Sequence, residues 1–202
     1  MPEVLVFFLL SYLIGSIPFS FLIAKARGVD LRTVGSGNTG ASNVWRLLGF
    51  RTFVPALLLD MLKGTLPTWL AYEVGQVGPN ATILVGLCAV LGHMFPLFLG
   101  FRGGKAVATA TGVLLALQPW LVVIASVTWI VFYRLKGYPS LSSLMGGLAA
   151  VIAATLWTTL GTLPLQFALY VWVAFAVVVY NHRTNIQRLL HGQEMGIGPR
   201  TK

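Results

Sequence analysis

The sequence predicts an all-α fold: a polytopic, integral membrane helical bundle of about seven transmembrane helices, with the N-terminus outside and the C-terminus cytoplasmic. Three observations predict it. The 202-residue chain is 56% hydrophobic and 9% charged, where a soluble domain carries about 25% charged residues. Of its 14 Lys and Arg residues, all but Lys63 fall in segments 25–51, 102–105, 134–136 and 183–202. The alternate gaps near 73–80, 117–120 and 160–164 contain neither residue. By the positive-inside rule, that alternation puts every basic loop on the cytoplasmic side.

The predicted spans cover 4–24, 53–72, 80–99, 105–118, 119–134, 142–160 and 163–181, some shorter than the roughly 20 residues a helix needs to cross. Residues 4–14 resemble the apolar core of a signal peptide, but no basic residue precedes them, and Lys25 and Arg27 follow. This segment therefore reads as a first span with its N-terminus outside. In the second span, Asp60 and Lys63 are three residues apart and share a helix face. An unpaired charge at that depth costs ~2.5–3.5 kcal/mol or more, so an internal ion pair that fixes packing is favoured over a substrate contact. The fourth and fifth spans meet at Gln118-Pro119. A proline there could kink one long helix, but Arg102 and Lys105 precede the stretch and Arg134 and Lys136 follow it. Both ends are then cytoplasmic and the chain turns back at Pro119. Ser142 and Ser143 are candidate caps of the sixth helix. The tail after Arg188, with Gly192, Gly196, Gly198 and Pro199, is expected to be a loose cytoplasmic end. No internal repeat is present, and residues 1–202 are read as one domain.

Composition also excludes functions. The net charge of +9 resides in short loops beside apolar spans, so anionic lipid headgroups and phosphate ligands are nearer partners than nucleic acid. Cys88 is the one cysteine, which leaves no disulfide or thiolate cluster. The five carboxylates show no metal-ligand or paired acid–base spacing. No metal and no cofactor is expected, and Mg²⁺-dependent phosphotransfer is disfavoured. The His-x4-Asp motif of soluble-type glycerolipid acyltransferases and the Gly-x-Ser-x-Gly elbow are both missing.

Three segments carry chemistry. The first is Gly35-Ser36-Gly37-Asn38-Thr39-Gly40-Ala41-Ser42-Asn43-Val44-Trp45-Arg46. Its glycines let the backbone approach a ligand and aim N–H groups at one point. Ser36, Asn38, Thr39 and Asn43 add side-chain donors, and Arg46 adds a planar fork suited to phosphate. A short helix from Gly40 would favour an anion at its start. The second segment runs from Gly92-His93 to Thr109, and its Gly103-Gly104-Lys105 turn opens a helix. Leu99 and Ala106 stand where a Walker A loop needs Gly and Ser/Thr, so nucleotide hydrolysis is not supported. His93 alone on an apolar helix reads as structural. Phe95, Phe98 and Phe101 read as packing and interfacial anchors. The third segment, Asn181 to Glu194, leaves the last span; if helical, 181, 185 and 188 share a face.

These segments, with Gly15-Ser16-Ile17-Pro18 and Asp60-x-x-Lys63-Gly64, resemble the bacterial membrane glycerol-3-phosphate acyltransferase family known as PlsY. The likeness covers nearly the whole chain. The first segment matches at Ser36-Gly37-Asn38, Gly40-Ala41, Asn43 and Arg46. The second matches at Gly92-His93, Pro96, Phe98, Phe101, Gly103-Gly104-Lys105 and Val107-Ala108-Thr109. The third matches at His182, Asn185, Arg188-Leu189, Gly192 and Glu194.

The resemblance implies transfer of a fatty acyl group from acyl phosphate to the 1-hydroxyl of sn-glycerol 3-phosphate. The products are lysophosphatidate and phosphate, at the entry to phospholipid synthesis. It implies a multi-pass protein of the bacterial inner membrane, active as a monomer, with its site on the cytoplasmic side and membrane lipids around it. The reading that follows is direct attack with no acyl-enzyme. Ser36, Gly37, Asn38, Thr39, Gly40, Asn43 and Arg46, with Gly103 and Gly104, are expected to bind acyl phosphate. Lys105, Ser142, Asn181, His182, Arg183, Asn185 and Arg188 are expected to hold glycerol 3-phosphate. Lys105, His182, Arg46 and Asn181 are expected nearest the chemistry. The general base is left open between His182 and a substrate phosphate. The competing class is a membrane carrier for a phosphorylated solute; the lack of repeats and the massing of polar groups at one face weigh against it.

Overall fold

A computed structural model describes residues 2–197. Among the described residues every regular element is helical. The chain divides after Leu117 into two compact units, each described by itself below.

In the first unit, α1 (Pro2–Ser16) and α2 (Phe19–Lys25) are two pieces of one apolar segment, Val4–Lys25. They part at Ile17-Pro18, because proline lacks the amide that would continue the ladder. Beyond a loop follow α3 (Ala41–Leu48) and α4 (Phe50–Trp69), then a π-helical turn at Leu70–Val74. Next come α5 (Pro79–Met94), a 3₁₀ turn at Leu97–Leu99 and α6 (Val107–Leu117). Small residues bring these helices together in pairs. Gly15 of α1 lies against Ala89 of α5, and Gly92 of α5 lies against Tyr12 of α1. Gly64 of α4 meets the backbone of Thr109 in α6, and Gly112 of α6 meets Met61 of α4. Backbones approach this closely only where no side chain intervenes.

The second unit holds α7 (Pro119–Lys136), α8 (Pro139–Thr159), α9 (Leu165–Asn181) and α10 (Arg183–Leu190). Gly146 seats α8 against Ala125 of α7, and Gly147 seats it against Phe175 of α9.

Helices occupy each of the seven predicted segments. Among the described residues, four segments are long and apolar enough to cross a membrane on their own: Val4–Lys25, Pro79–Leu99, Pro119–Lys136 and Pro139–Thr159. The pair α9 and α10, bent by 60°, makes a fifth if counted as one. Helix α4 has 20 residues but carries Arg51, Asp60 and Lys63, and α6 has only 11.

Three local expectations are corrected. Ser142 and Ser143 do not cap a helix, since α8 begins at Pro139. Their hydroxyls donate back to the Tyr138 and Pro139 carbonyls at 3.0 and 2.8 Å. Asn181 does not share a helix with Asn185 and Arg188, because α9 ends at Asn181 and the chain bends before α10. The tail is not loose as far as Ile197. The Ile197 amide donates to the Gly137 carbonyl at 3.1 Å, and the Tyr133 hydroxyl donates to the Ile197 carbonyl at 3.2 Å. Gly198 and Pro199 lie outside the described residues.

Candidate active site

In the first unit the loop at 35–40 arrives already folded by its own hydrogen bonds. Asn43, buried at 1% exposure, organises it. Its Oδ1 accepts from the Ser36 amide at 3.0 Å and from the Arg46 guanidinium at 3.3 Å. Its Nδ2 donates to the Leu31 and Val34 carbonyls at 3.2 and 3.1 Å. Asn38 closes a second small ring by accepting from the Gly40 amide at 2.9 Å, and the Ser36 hydroxyl oxygen accepts from the Asn38 amide at 3.4 Å. Gly35 and Gly37 take positive φ of 63° and 70°, which only glycine adopts without strain. Asn43 thus shapes the loop from within. The start of α3 at Gly40 has no side-chain cap, so its first amides can face an anion. Thr39 is buried beside it.

An apolar cluster holds this loop in place. Phe21 and Ala24 of α2, Leu31 of the following loop, Ala41 and Val44 of α3, and Phe53 and Ala56 of α4 pack together, with Leu99 against them. So the first and second segments share one packed base. At the loop entrance Arg32 embraces Asp30 at 2.6–3.3 Å. Those hydrogen bonds hold the Asp30 carboxyl down to about 2, so it stays ionised throughout the physiological range.

The turn before α6 differs from a simple amide cradle. The Gly103 amide donates to the Met94 carbonyl at 3.0 Å and the Gly104 amide to the His93 carbonyl at 3.2 Å. A Cβ at Gly103 would strike the His93 carbonyl and the Pro96 ring, and one at Gly104 would strike the His93 imidazole. These glycines therefore permit a close approach that carries the chain into Lys105, which is half-buried.

Behind the turn lies a buried polar group. Lys63 Nζ is 3.1 Å from Asp60 Oδ1, each side chain 1% exposed. Lys63 also donates to the Ile17 carbonyl at 2.8 Å, at the α1–α2 break. The Ser20 hydroxyl donates to Asp60 Oδ2 at 2.5 Å. The pair is thus the internal packing device that its spacing implied.

In the second unit His182 is buried and its Nδ1 lies 2.8 Å from the Val178 carbonyl. A carbonyl only accepts, so Nδ1 carries the hydrogen, and in the neutral ring Nε2 is the proton acceptor. Next to it, Asn181 Nδ2 is buried without a hydrogen-bond partner among the described residues. Such a donor costs about 1–3 kcal/mol. Arg183 is exposed; it lies over the Tyr180 ring at 4.6 Å and donates to the Tyr180 carbonyl. Ser142 is fully buried at the start of α8.

Asn185 and Arg188 are drawn to a residue that the sequence reading used only as part of a motif. Glu194 accepts from Asn185 Nδ2 at 2.6 Å, Ser140 Oγ at 2.9 Å and Arg188 Nε at 3.1 Å. It clamps α10 and the tail to the first turn of α8. A single carboxylate in a basic segment was the available signal. Glu194→Ala is expected to leave those donors unsatisfied and to lower stability by about 1–3 kcal/mol. A lower thermal midpoint, with faster protease trimming of the tail, would be the readout; an unchanged midpoint would refute the clamp.

Known proteins are similar to this chain in sequence and fold. The family model for glycerol-3-phosphate acyltransferase matches residues 5–192. A glycerol-3-phosphate acyltransferase of Roseiflexus sp. (strain RS-1) is 50% identical over 186 residues, covering 92% of this chain and 91% of that protein. One from Aquifex aeolicus (strain VF5) is 43% identical over 184 residues, covering 91% and 94%. Among solved structures, PlsY, an integral membrane glycerol 3-phosphate acyltransferase crystallised in a glycerol 3-phosphate form, superposes with a TM-score of 0.88. It is 40% identical over 96% of each chain. Its lysophosphatidic acid form gives a TM-score of 0.86 at 39% identity, covering 96% of this chain and 95% of that one. By sequence and by fold, this chain belongs to the glycerol-3-phosphate acyltransferase family.

Proposed function

We propose that the protein transfers a fatty acyl group from acyl phosphate to the 1-hydroxyl of sn-glycerol 3-phosphate, releasing lysophosphatidate and phosphate. The observation that carries this reading is family membership over residues 5–192, a range that contains every candidate residue from Ser36 to Arg188. Seven spans, with the N-terminus outside and the C-terminus cytoplasmic, suit the basic loops and the helices at the seven segments. The site then faces the cytoplasm from the bacterial inner membrane. One acyltransferase domain, 1–202, acts as a monomer among membrane lipids.

In this mechanism the glycerol 1-hydroxyl oxygen attacks the acyl carbonyl carbon. A new ester C–O bond forms, the anhydride C–O bond breaks, and phosphate leaves with the electron pair. Acyl phosphate is a mixed anhydride, so positioning and charge stabilisation can supply much of the rate. The donor phosphate rests on the loop from Ser36 to Gly40 and the uncapped start of α3, with Arg46 nearby on that helix. Asn43 shapes that loop, while Gly103 and Gly104 bring Lys105 to the substrate. Lys105, Ser142, Asn181, His182 and Arg183 hold glycerol 3-phosphate, and the unsatisfied Asn181 amide supports its part in this. Asn185 and Arg188 contribute through the Glu194 clamp that sets α10.

The hydroxyl proton passes to His182 Nε2 or to a substrate phosphate. The Val178 bond supports the first, because it fixes the tautomer a base needs. His182→Ala is expected to slow turnover by about 10²- to 10⁴-fold if His182 is the base. Near-normal turnover would assign the proton to a phosphate. The reading as a whole is tested with purified protein in lipid, palmitoyl phosphate and glycerol 3-phosphate. Phosphate release that requires glycerol 3-phosphate and yields lysophosphatidate is expected. Equal or faster use of palmitoyl-CoA would refute the donor, and no acyl transfer from either donor would refute the enzyme.

A further inference from the structure

His93 stands apart from the residues assigned above, yet it touches the turn that carries Lys105 from two sides. Its carbonyl receives the Gly104 amide, and its imidazole lies where a Cβ on Gly104 would have to be. The ring itself is fixed. Thr109 has one hydroxyl hydrogen, which it donates to the Asp60 carbonyl at 3.0 Å. The His93 Nδ1 atom 3.1 Å from the same hydroxyl must therefore be the donor in that contact. Nε2 then holds a lone pair, and it is buried beneath Gly104 with no hydrogen-bond partner among the described residues. With 6% of His93 exposed and Nε2 covered, the ring does not reach a substrate. It is a seat for the backbone.

Lys105 sits between two anchors. On one side Gly104 rests on the imidazole; on the other, Thr109 is bonded to that imidazole and to α4. Ala106 lies between them with φ of 62°. A non-glycine residue holds that left-handed conformation only where its surroundings impose it. The anchors supply that constraint. They are themselves tied to Asp60, whose carboxylate is held by Lys63 and Ser20.

We propose that His93 is a positioning residue for the acyl-transfer reaction. Its Nδ1–H bond to Thr109 and its ring under Gly104 set the Gly103-Gly104-Lys105 turn, and so fix where Lys105 presents its ammonium to glycerol 3-phosphate. The inference rests on the acyltransferase reading above.

The test compares Thr109→Val, Thr109→Ser and His93→Asn, each also in a Lys105→Ala background. Valine removes the hydroxyl at nearly constant volume. Serine keeps it, and asparagine keeps a donor near the Nδ1 position while removing the ring edge under Gly104. KM for glycerol 3-phosphate and kcat are measured at saturating palmitoyl phosphate, beside the thermal midpoint. Thr109→Val and His93→Asn are expected to raise KM about tenfold, the size of one good hydrogen bond, with a smaller change in kcat. Thr109→Ser is expected to restore the wild-type KM. In the Lys105→Ala background the same substitutions are expected to add little. A KM within about twofold of wild type in folded Thr109→Val, or a full KM effect without Lys105, would overturn the inference. So would failure of both Thr109→Val and His93→Asn to fold, which would make the contact purely structural. An inactive wild-type protein would instead overturn the acyltransferase reading on which the inference stands.

Discussion

Lys105→Ala is expected to lower kcat/KM for glycerol 3-phosphate by about 10²- to 10³-fold, the cost of deleting one preorganised group aimed at developing charge. The residue is half-buried, so its ammonium meets a phosphate with less competing water than a surface lysine would have. Charge-assisted contacts to phosphate are among the stronger polar interactions. The turn that delivers it is tied back through the Gly103 and Gly104 amides, so the substitution removes a charge without unseating the backbone. Lys105→Arg should recover only part of the rate, because a planar fork on a three-carbon stem does not replace a compact ammonium on a four-carbon one. The measurement is phosphate release in lipid, with the thermal midpoint as the control for folding. Turnover within a few-fold of wild type in the alanine variant would remove Lys105 from the chemistry.

The largest expected effect on stability belongs to Asp60→Asn. It leaves Lys63 Nζ buried, 1% exposed, with its counter-charge gone. Breaking one partner of such a pair costs about 3–5 kcal/mol. The loss should spread, since Asp60 also takes the Ser20 hydroxyl and Lys63 caps the Ile17 carbonyl. Lys63→Met in the same chain should recover much of it, because it removes the buried charge left without a partner. Unfolding in one fixed detergent, wild type beside single and double variants, reads this directly. A single variant as stable as wild type would mean that water reaches Lys63.

The sequence made the helices legible because apolar runs and basic loops alternate, and both obey one solvent. In α4 the three-residue spacing also announced the Asp60–Lys63 pair. A hydropathy sum counts Asp60 and Lys63 as two separate penalties, whereas the fold pairs them at 3.1 Å. The break at Ile17-Pro18 had its signal in the proline, but the spacing gave no hint that Lys63, 46 residues away, caps the freed carbonyl. The site was legible as residue types and not as roles. Asn43 was expected to face a ligand, yet its amide is turned inward. A side chain with two donors and two acceptors suits either task, and only the loop's geometry decides. The tail looked loose from its glycines, while Glu194 and Ile197 hold it through partners 54 and 64 residues away.

Helix α6 has 11 residues, so it rises about 16 Å against roughly 30 Å of hydrocarbon. If it spans the membrane, it cannot keep both its ends at the headgroups. Either the bilayer thins around it or one of its ends sinks below the surface. Thinning at its first turn, or sinking of that turn, would draw the boundary between water and lipid down toward Lys105. An acyl phosphate has its reactive carbonyl at that same boundary, one bond from a charged group and one from an alkyl chain. A shallow helix would bring the polar reactant down to it, and the acyl tail need not leave the membrane to react.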